Sequence, residues 1–346
     1  MPTSNGPDTA VVILCWNGKK FLEEFLPSLI QNNPERAEII VADNASTDDS
    51  VDFVKKHFPA VRLLLLEKNY GFAEGYNQAI KRIDAPFIVL INQDVRVSDN
   101  WLPPLIEMME QDLSIGALQP RIHAHLQPAC FEYAGAAGGW IDRYGYTFCR
   151  GRVFDSIEED RNQYALPEEI FWASGACLLV RKKIFESTGG LDGDFFAHME
   201  EIDFCWRLKN AGYKVMYCPH SVVYHLGGGS LPHGNPFKTH LNFRNNLAMI
   251  AKNLNEKRFT TLLLRMALDQ LAALRFLAAF HFKDFWAVQQ AHFHFLLQLR
   301  KINSKRTTSI APFLSMKGVY KGSIVWDYFL KGRKNFREIL REVNKD

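Results

Sequence analysis

Two apolar runs in this chain each end at an aspartate, and a glycine-bearing segment lies between them. Ile39-Ile40-Val41-Ala42 stops at Asp43-Asn44, and Phe87-Ile88-Val89-Leu90-Ile91 leads through Asn92-Gln93 to Asp94. The segment between them reads Asn69-Tyr70-Gly71-Phe72-Ala73-Glu74-Gly75-Tyr76-Asn77-Gln78-Ala79. An apolar strand that stops at a carboxylate sets that group on the C-terminal edge of a sheet, where open α/β sheets bind ligands. Glycines let backbone approach a nucleotide closely, and side-chain amides can bond its ribose or base. The pattern therefore predicts a nucleotide site. Further on, His198-Met199-Glu200-Glu201-Ile202-Asp203 places three carboxylates within four residues. Their repulsion raises their proton affinity, which suits a general base near neutral pH. Acids also favour a helix N-terminus, and that alone accounts for Glu200 and Asp203.

The elements that must position these groups alternate. Ala10 to Trp16 reads as a buried strand, and Asn17-Gly18 turns the chain into a helix ending near Asn33-Pro34. Glu38 to Ala42 is a second strand, with Ser46 to Ser50 offering caps for a helix through Phe58. Val61 to Leu66 is a third strand, Gly75 to Arg82 a helix and Phe87 to Ile91 a fourth strand. Such alternation predicts an α/β domain with a mostly parallel sheet flanked by helices. A Rossmann dehydrogenase would need GxGxxG after the first strand, where this chain has Trp16-Asn17-Gly18-Lys19-Lys20. From Gln119 to Pro167 the pattern blurs. A helix is expected from Glu201 to Ala211, short strands at Val215–Pro219 and Val222–His225, and helix from there to the end.

The 346 residues are 47% hydrophobic, enough for a large core, and the net charge is only +3. That charge is uneven: residues from Lys252 on carry 18 Lys and Arg against 7 Asp and Glu, and the rest carry 23 against 31. The boundary is expected near residue 235, with a domain over 8–235 and a basic helical region over 236–346. None of the six cysteines forms a CxxC pair, so neither a zinc site nor a disulfide framework is indicated. The N-terminus lacks an apolar signal region, and no uncharged run reaches the roughly 18 residues of a membrane span. A cytosolic protein is expected. Lys257 to His281 carries Arg258, Arg265 and Asp269 on one stripe with apolar residues around most of the circumference. Phe282, Phe285, Trp286, Phe293 and Phe295 follow, beside Arg300, Lys301, Lys305 and Arg306. Two readings stay open for this tail: peripheral contact with an anionic membrane, at the inner face of the plasma membrane, or packing on the catalytic domain or a second subunit as a homodimer. No nucleic-acid-binding module is present in it.

Taken together, these motifs resemble the family 2 inverting glycosyltransferases of GT-A fold, and most closely their rhamnosyltransferase-like members, over residues 10 to 245. The resemblance implies that Asp43 accepts a hydrogen bond from the pyrimidine N–H of a donor nucleotide; the alternative is a cap on the turn at Ala45 to Asp48. It places Trp16, Asn17, Asn44, Asn69, Gly71, Gly75, Asn77, Asn92 and Gln93 around the nucleotide-sugar, with Asn77 partly structural. Asn92-Gln93-Asp94 stands where the family has Asp-x-Asp or Asn-x-Asp, so Asp94 is the expected ligand of Mg²⁺ or Mn²⁺. Gln93 replaces a frequent proline, and nothing in the sequence explains it. His225, before Gly227-Gly228-Gly229-Ser230, resembles the histidine that completes the metal shell; alone it would read as a structural histidine. The second acid of the pair, Glu201, is the implied general base, with Glu200 and Asp203 beside it. Trp172, Ser174 and Gly175 are candidates for sugar or acceptor contact, although a core tryptophan remains the alternative for Trp172.

The implied reaction moves a sugar, with inversion, from a dTDP- or UDP-linked donor to a hydroxyl of a glycan or lipid-linked glycan, in cell-surface polysaccharide synthesis. Rhamnose is the expected sugar. A sugar nucleotidyltransferase would need a longer Gly-rich, basic loop after the first strand than Asn17-Gly18-Lys19-Lys20. An inactive membrane-associated scaffold would have lost Asp94 or both glutamates, and all three are present.

Overall fold

Thr9–Cys15 forms the central strand β1, buried along nearly its whole length, so its sequence is continuously apolar rather than alternating. The computed structural model describes residues 7–227 and 234–340. After β1 come α1 (Lys19–Gln31), β2 (Ala37–Asp43), α2 (Ser50–His57), β3 (Arg62–Leu65), α3 (Gly71–Ile80), β4 (Phe87–Asn92), β5 (Val95–Val97) and α4 (Pro103–Gln111). Next are β6 (Ile115–Ala124), β7 (Gly139–Asp142), β8 (Thr147–Cys149), β9 (Arg152–Val153), β10 (Ser156–Ile157), β11 (Glu168–Ile170) and β12 (Cys177–Arg181). The chain continues with α5 (Lys182–Ser187), α6 (Glu200–Asn210), β13 (Lys214–His225), α7 (Pro236–Asn253), α8 (Arg258–Ala278), α9 (Phe282–Ser304), β14 (Val319–Tyr320), α10 (Ile324–Phe329) and α11 (Phe336–Leu340).

The main sheet has the order β11-β13-β6-β12-β4-β1-β2-β3, with β5 paired to β13. Strands β4, β1, β2 and β3 are parallel, while β12 runs antiparallel to both β4 and β6. Alternate residues of β1 serve two cores: Val11 and Ile13 pack with Leu22, Leu26 and Leu29, and Ala10 and Val12 pack with Tyr76, Ala79 and Ile80. This is the helix-flanked α/β layering that the alternating pattern predicts, and it agrees with the GT-A fold that the family resemblance implies.

Three departures from the sequence expectations have physical causes. Helix α3 begins at Gly71 rather than Gly75, because Phe196 O accepts the Phe72 and Ala73 amides at 2.9 and 3.4 Å. Strand β6 crosses the start of the blurred region; its buried Gln119 is satisfied by Gly135 O and the Ser174 amide, 2.9 Å each, so a polar residue sits where a strand pattern calls for an apolar one. The tail is not helical to its end. Val319–Tyr320 joins β7 in a second, five-stranded sheet, and Phe313 stacks on Trp206 at 4.8 Å. Residues on both sides of position 235 therefore share one core, with Leu247, Ile250, Phe313 and Ile324 in the cluster that holds Val12 and Trp206. No helix among the described residues is long and apolar enough to cross a membrane.

Candidate active site

Parallel pairing sets the ends of β2 and β4 on either side of β1, with Cys15 opposite Asp43 and Leu14 opposite Asn92. Asp43 and the β4 end thus flank a cleft about 10 Å across at ordinary strand spacing. Asp43 is 4% exposed; its Oδ2 accepts the Ser46 amide at 3.1 Å, and its Oδ1 is buried without a partner. One oxygen holds the turn, as the capping reading expects, and the other has no partner within the protein. Asn17 serves the same wall as a clasp: its Oδ1 accepts the Thr47 amide at 2.7 Å and its own amide donates to Ser46 Oγ at 2.9 Å. Trp16, half exposed, stands at the rim.

The glycine segment forms the next wall. Asn44 Nδ2 donates to Asn69 Oδ1 and Gly71 O, its Oδ1 accepts the Tyr70 amide, and Asn69 Oδ1 also accepts the Gly71 amide. Both asparagines are used in shaping the loop. Gly71 has φ +75°, and a Cβ there would meet the Phe196 ring at 2.6 Å. Gly75 is a packing residue, since a Cβ would strike Leu14 Cδ2 at 2.9 Å. Asn77 is structural throughout: its carboxamide bonds Leu191 O at 2.7 Å and the Leu191 amide at 3.0 Å. Both residues thus help to hold α3 in place.

At the end of β4, Asp94 and His225 come together, Oδ1 to Nε2 at 3.3 Å, with Asn92 Nδ2 also 3.3 Å from that nitrogen. Strand β13 carries the histidine there by pairing with β5, His225 opposite Val95. On its other side, Nδ1 lies 3.3 Å from Glu132 Oε1. Asp94, Glu132 and His225 are 5, 5 and 7% exposed. Burial lowers the proton affinity of His225, but the Glu132 and Asp94 carboxylates outweigh it and raise the pKa to about 10. Burial pushes the Asp94 carboxyl up, and the His225 hydrogen bond and charge bring it below its ordinary value. The two buried carboxylates hold the His225 ring between them. Among the described residues no three His, Cys, Asp or Glu side chains converge as a complete ligand set. One carboxylate and one imidazole fit a divalent ion whose remaining positions are filled by diphosphate and water. Gly228, Gly229 and Ser230 lie outside the described residues. Gln93 Oε1 is buried without a partner and packs against Gly18.

The acid pair opens α6. Glu200 is buried and Glu201 partly exposed, and each keeps a buried Oε2 without a hydrogen-bond partner. Burial pushes Glu201 up to about 7, against bonds to backbone amides including that of Gly175. Burial first, then the charges of Glu201 and Asp203, raises Glu200 well above the carboxylate range. Asp203 is a different kind of residue. Fully buried, it accepts from Arg207 Nε and Lys252 Nζ at 2.9 Å and from Asn253 Nδ2 at 2.8 Å, which ties α6 to α7. Gly175 lies beneath Glu201, where a Cβ would come 3.8 Å from Glu201 Cβ. Ser174 and Trp172 are buried instead: the Ser174 hydroxyl accepts the Ala176 amide, and Trp172 packs on Gly139 with Nε1 donating to Trp140 O at 2.9 Å.

Two contributors escape sequence reasoning. Glu132 lies in the blurred stretch with no local pattern to mark it. Asn245, on α7, donates through Nδ2 to Phe195 O, Ala197 O and His198 O at 3.0, 2.9 and 2.7 Å. Those carbonyls belong to a loop whose Phe196, His198 and Met199 have φ of 64, 68 and 72°, a conformation non-glycine residues rarely hold unaided. The same loop feeds Glu200 and, through Phe196 O, anchors α3. Only a run of Arg-Asn-Asn in a helix signals it, and that signal points nowhere without the fold.

The glycosyl transferase family 2 model matches residues 10–189. An N-acetylglucosaminyl-diphospho-decaprenol L-rhamnosyltransferase of Mycobacterium tuberculosis is 28% identical over 232 residues, 62% of this chain and 75% of that protein. A poly-beta-1,6-N-acetyl-D-glucosamine synthase of Staphylococcus aureus is 23% identical, over 62% of this chain and 49% of its own length. Among solved structures, the Pyrobaculum calidifontis mannosyltransferase PcManGT in complex with GDP-Man and Mn²⁺ superposes with a TM-score of 0.51 at 16% identity, covering 87% of this chain and 88% of that one. GalNAc-T7 with UDP, GalNAc and Mn²⁺ gives 0.56 at 18% identity, covering 74% and 49%. The sheet order, the carboxylates at its edge and a family match over more than half the residues agree, and this chain belongs to glycosyl transferase family 2.

Proposed function

We propose that the protein transfers a sugar from a dTDP- or UDP-linked donor to a hydroxyl of a lipid-linked glycan, inverting the anomeric centre. The observation that carries this reading is the partly exposed Glu201, its carboxyl raised to about 7 and bonded to the Gly175 amide, one residue before Ala176, whose carbonyl accepts the Asn92 amide at the end of β4. Asp43 Oδ1 accepts the pyrimidine N–H. Asp94 and His225 would hold Mg²⁺ or Mn²⁺, with Glu132 orienting the imidazole through Nδ1. A divalent ion held there would offset charge on the departing diphosphate. Glu201 takes the acceptor's hydroxyl proton while the oxygen bonds to the anomeric carbon. The bond from that carbon to the diphosphate oxygen breaks, and the electron pair leaves with the nucleotide. Support for a lipid-linked acceptor and for rhamnose comes from the similarity to the Mycobacterium tuberculosis N-acetylglucosaminyl-diphospho-decaprenol L-rhamnosyltransferase.

The donor site is tested by thermal unfolding with a panel of nucleoside diphosphates. Protection by dTDP or UDP that requires Mn²⁺ is expected; no protection by any nucleotide would overturn the reading. Asn245 acts as a positioning residue. Asn245→Ala should lower kcat by roughly tenfold to a hundredfold and displace the acid limb of the pH–rate profile, because three carbonyls of a strained loop lose their donor. Nucleoside diphosphate affinity should stay within about twofold. An unchanged kcat and pH profile would reduce Asn245 to a stability role.

A further inference from the structure

Helix α8 is built inside out. Its buried stripe is Arg265, Asp269 and Ala273, at 6, 1 and 0% exposure, while Phe259, Leu263, Leu271 and Leu274, at 72, 53, 62 and 55%, face outward. A helix on a water-facing surface has the opposite arrangement. The orientation is fixed by polar bonds: Arg265 Nε donates to Asp269 at 2.9 Å, Nη1 to Asn246 Oδ1 at 2.6 Å, and the guanidinium lies 3.5 Å from the Tyr146 ring centroid. Turning α8 to hide its leucines would carry Arg265 out to solvent and leave the buried Asn246 Oδ1 without its donor and the Tyr146 ring without its cation. The apolar exposure is therefore imposed by the fold.

The face extends beyond α8. Phe280 and Phe282 touch at the hairpin tip, 6.2 Å between centroids, and Trp286 continues it at 62% exposure. Arg275 lies over Phe329 of α10 at 5.6 Å, joining that helix's exposed Trp326 to the surface. Helix α8 alone spans about 30 Å at the ordinary rise per residue.

The charges select the occupant. Lys257, Arg275, Lys283 and Arg300 are exposed around these helices. The acids of the same segments, Asp269, Asp284 and Asp327, are buried at 1, 9 and 3%. Glu256, before α8, is the exposed acid nearest this face in sequence. A second copy docked symmetrically would set like cations against one another. Apolar side chains rimmed by cations match the acyl and phosphate layers of a lipid surface. We propose that the outward face of α8, with the hairpin tip and α10, docks on an anionic phospholipid bilayer. The claim stands on this face alone and does not depend on the catalytic roles assigned above.

The test is sedimentation of the full chain with phosphatidylcholine vesicles, with and without phosphatidylglycerol, at low and raised salt. Partition should require phosphatidylglycerol and weaken with salt. The double change Leu271→Asp with Leu274→Asp should lower it at least about tenfold. Arg275→Glu with Lys283→Glu should lower it in the same direction. Both positions pairs are exposed, so unfolding temperature and nucleotide protection should be unchanged. Protein left in the supernatant with anionic vesicles would overturn the proposal, as would unaltered partition of the leucine variant. A solution dimer that the leucine variant dissociates would assign the face to self-association instead.

Discussion

Glu201→Gln should lose about three orders of magnitude in turnover while binding nucleoside diphosphate as before. General-base catalysis by a placed carboxylate contributes roughly 10²- to 10⁴-fold, and the amide cannot take the proton. The same change should make the protein more stable above neutral pH. The fold raises this carboxyl from 4.5 to about 7, so the native state favours its protonated form. Its contribution is fully present below pH 4.5 and is lost as pH rises through about 7. The variant's unfolding temperature at pH 8 should therefore exceed the parent's by roughly 2–4 °C, a range that allows for partial exposure, and the gap should close near pH 4. Wild-type turnover should fall as pH drops below about 7, with Glu200 and Asp203 beside the base and the Cys149 and Cys205 thiols within its field. Near-normal turnover in the variant would move the base to Glu200. A lower unfolding temperature at pH 8 would remove the argument from burial. Gain of stability with loss of activity is the trade-off expected where a site holds a charge against desolvation.

Asp94→Asn should weaken Mn²⁺-dependent nucleoside diphosphate binding by about a hundredfold, and Glu132→Gln by about tenfold. The first removes the carboxylate that would bond the ion; the second removes the group that fixes the orientation and tautomer of the His225 ring and raises its basicity, an effect usually worth roughly 10- to 100-fold in metal affinity. Titration calorimetry of nucleotide with and without Mn²⁺ reads both without any turnover. Binding that is equal in the parent and in Asp94→Asn, with the metal present, would cancel the ligand assignment. Binding lost equally with and without metal would mean that Asp94 shapes the nucleotide pocket itself. The two changes should also differ in kind, because Glu132 meets His225 on the side away from Asp94.

Much of the fold was legible because its signals are local. Strands β1 to β4 and helices α1 to α3 are marked by runs of apolar residues and by turns within a few positions of each other. Asp43 and Asp94 were found for the same reason: a carboxylate ending an apolar run has only one edge of the sheet to occupy. Position along a strand could not say which oxygen was free. The Ser46 amide takes one oxygen of Asp43 and leaves the other, a fact of turn geometry.

Composition and spacing determined the α/β layering, the carboxylates at the sheet edge, the acid pair at the head of α6 and the uneven charge of the tail. Tertiary structure decided which polar residues face a ligand and which are spent on the fold. Asp203, Asn77 and Trp172 have the chemistry of site residues, yet partners from α7, from the loop at Leu191 and from β7 consume them. Glu132 and Asn245 became visible only when distant segments met at His225 and at the strained loop before Glu200. The stripe of Arg265 and Asp269 was plain in the sequence, but its inward direction was not, because buried partners on α7 and at Tyr146, not the periodicity, decide which face of a helix turns to the core.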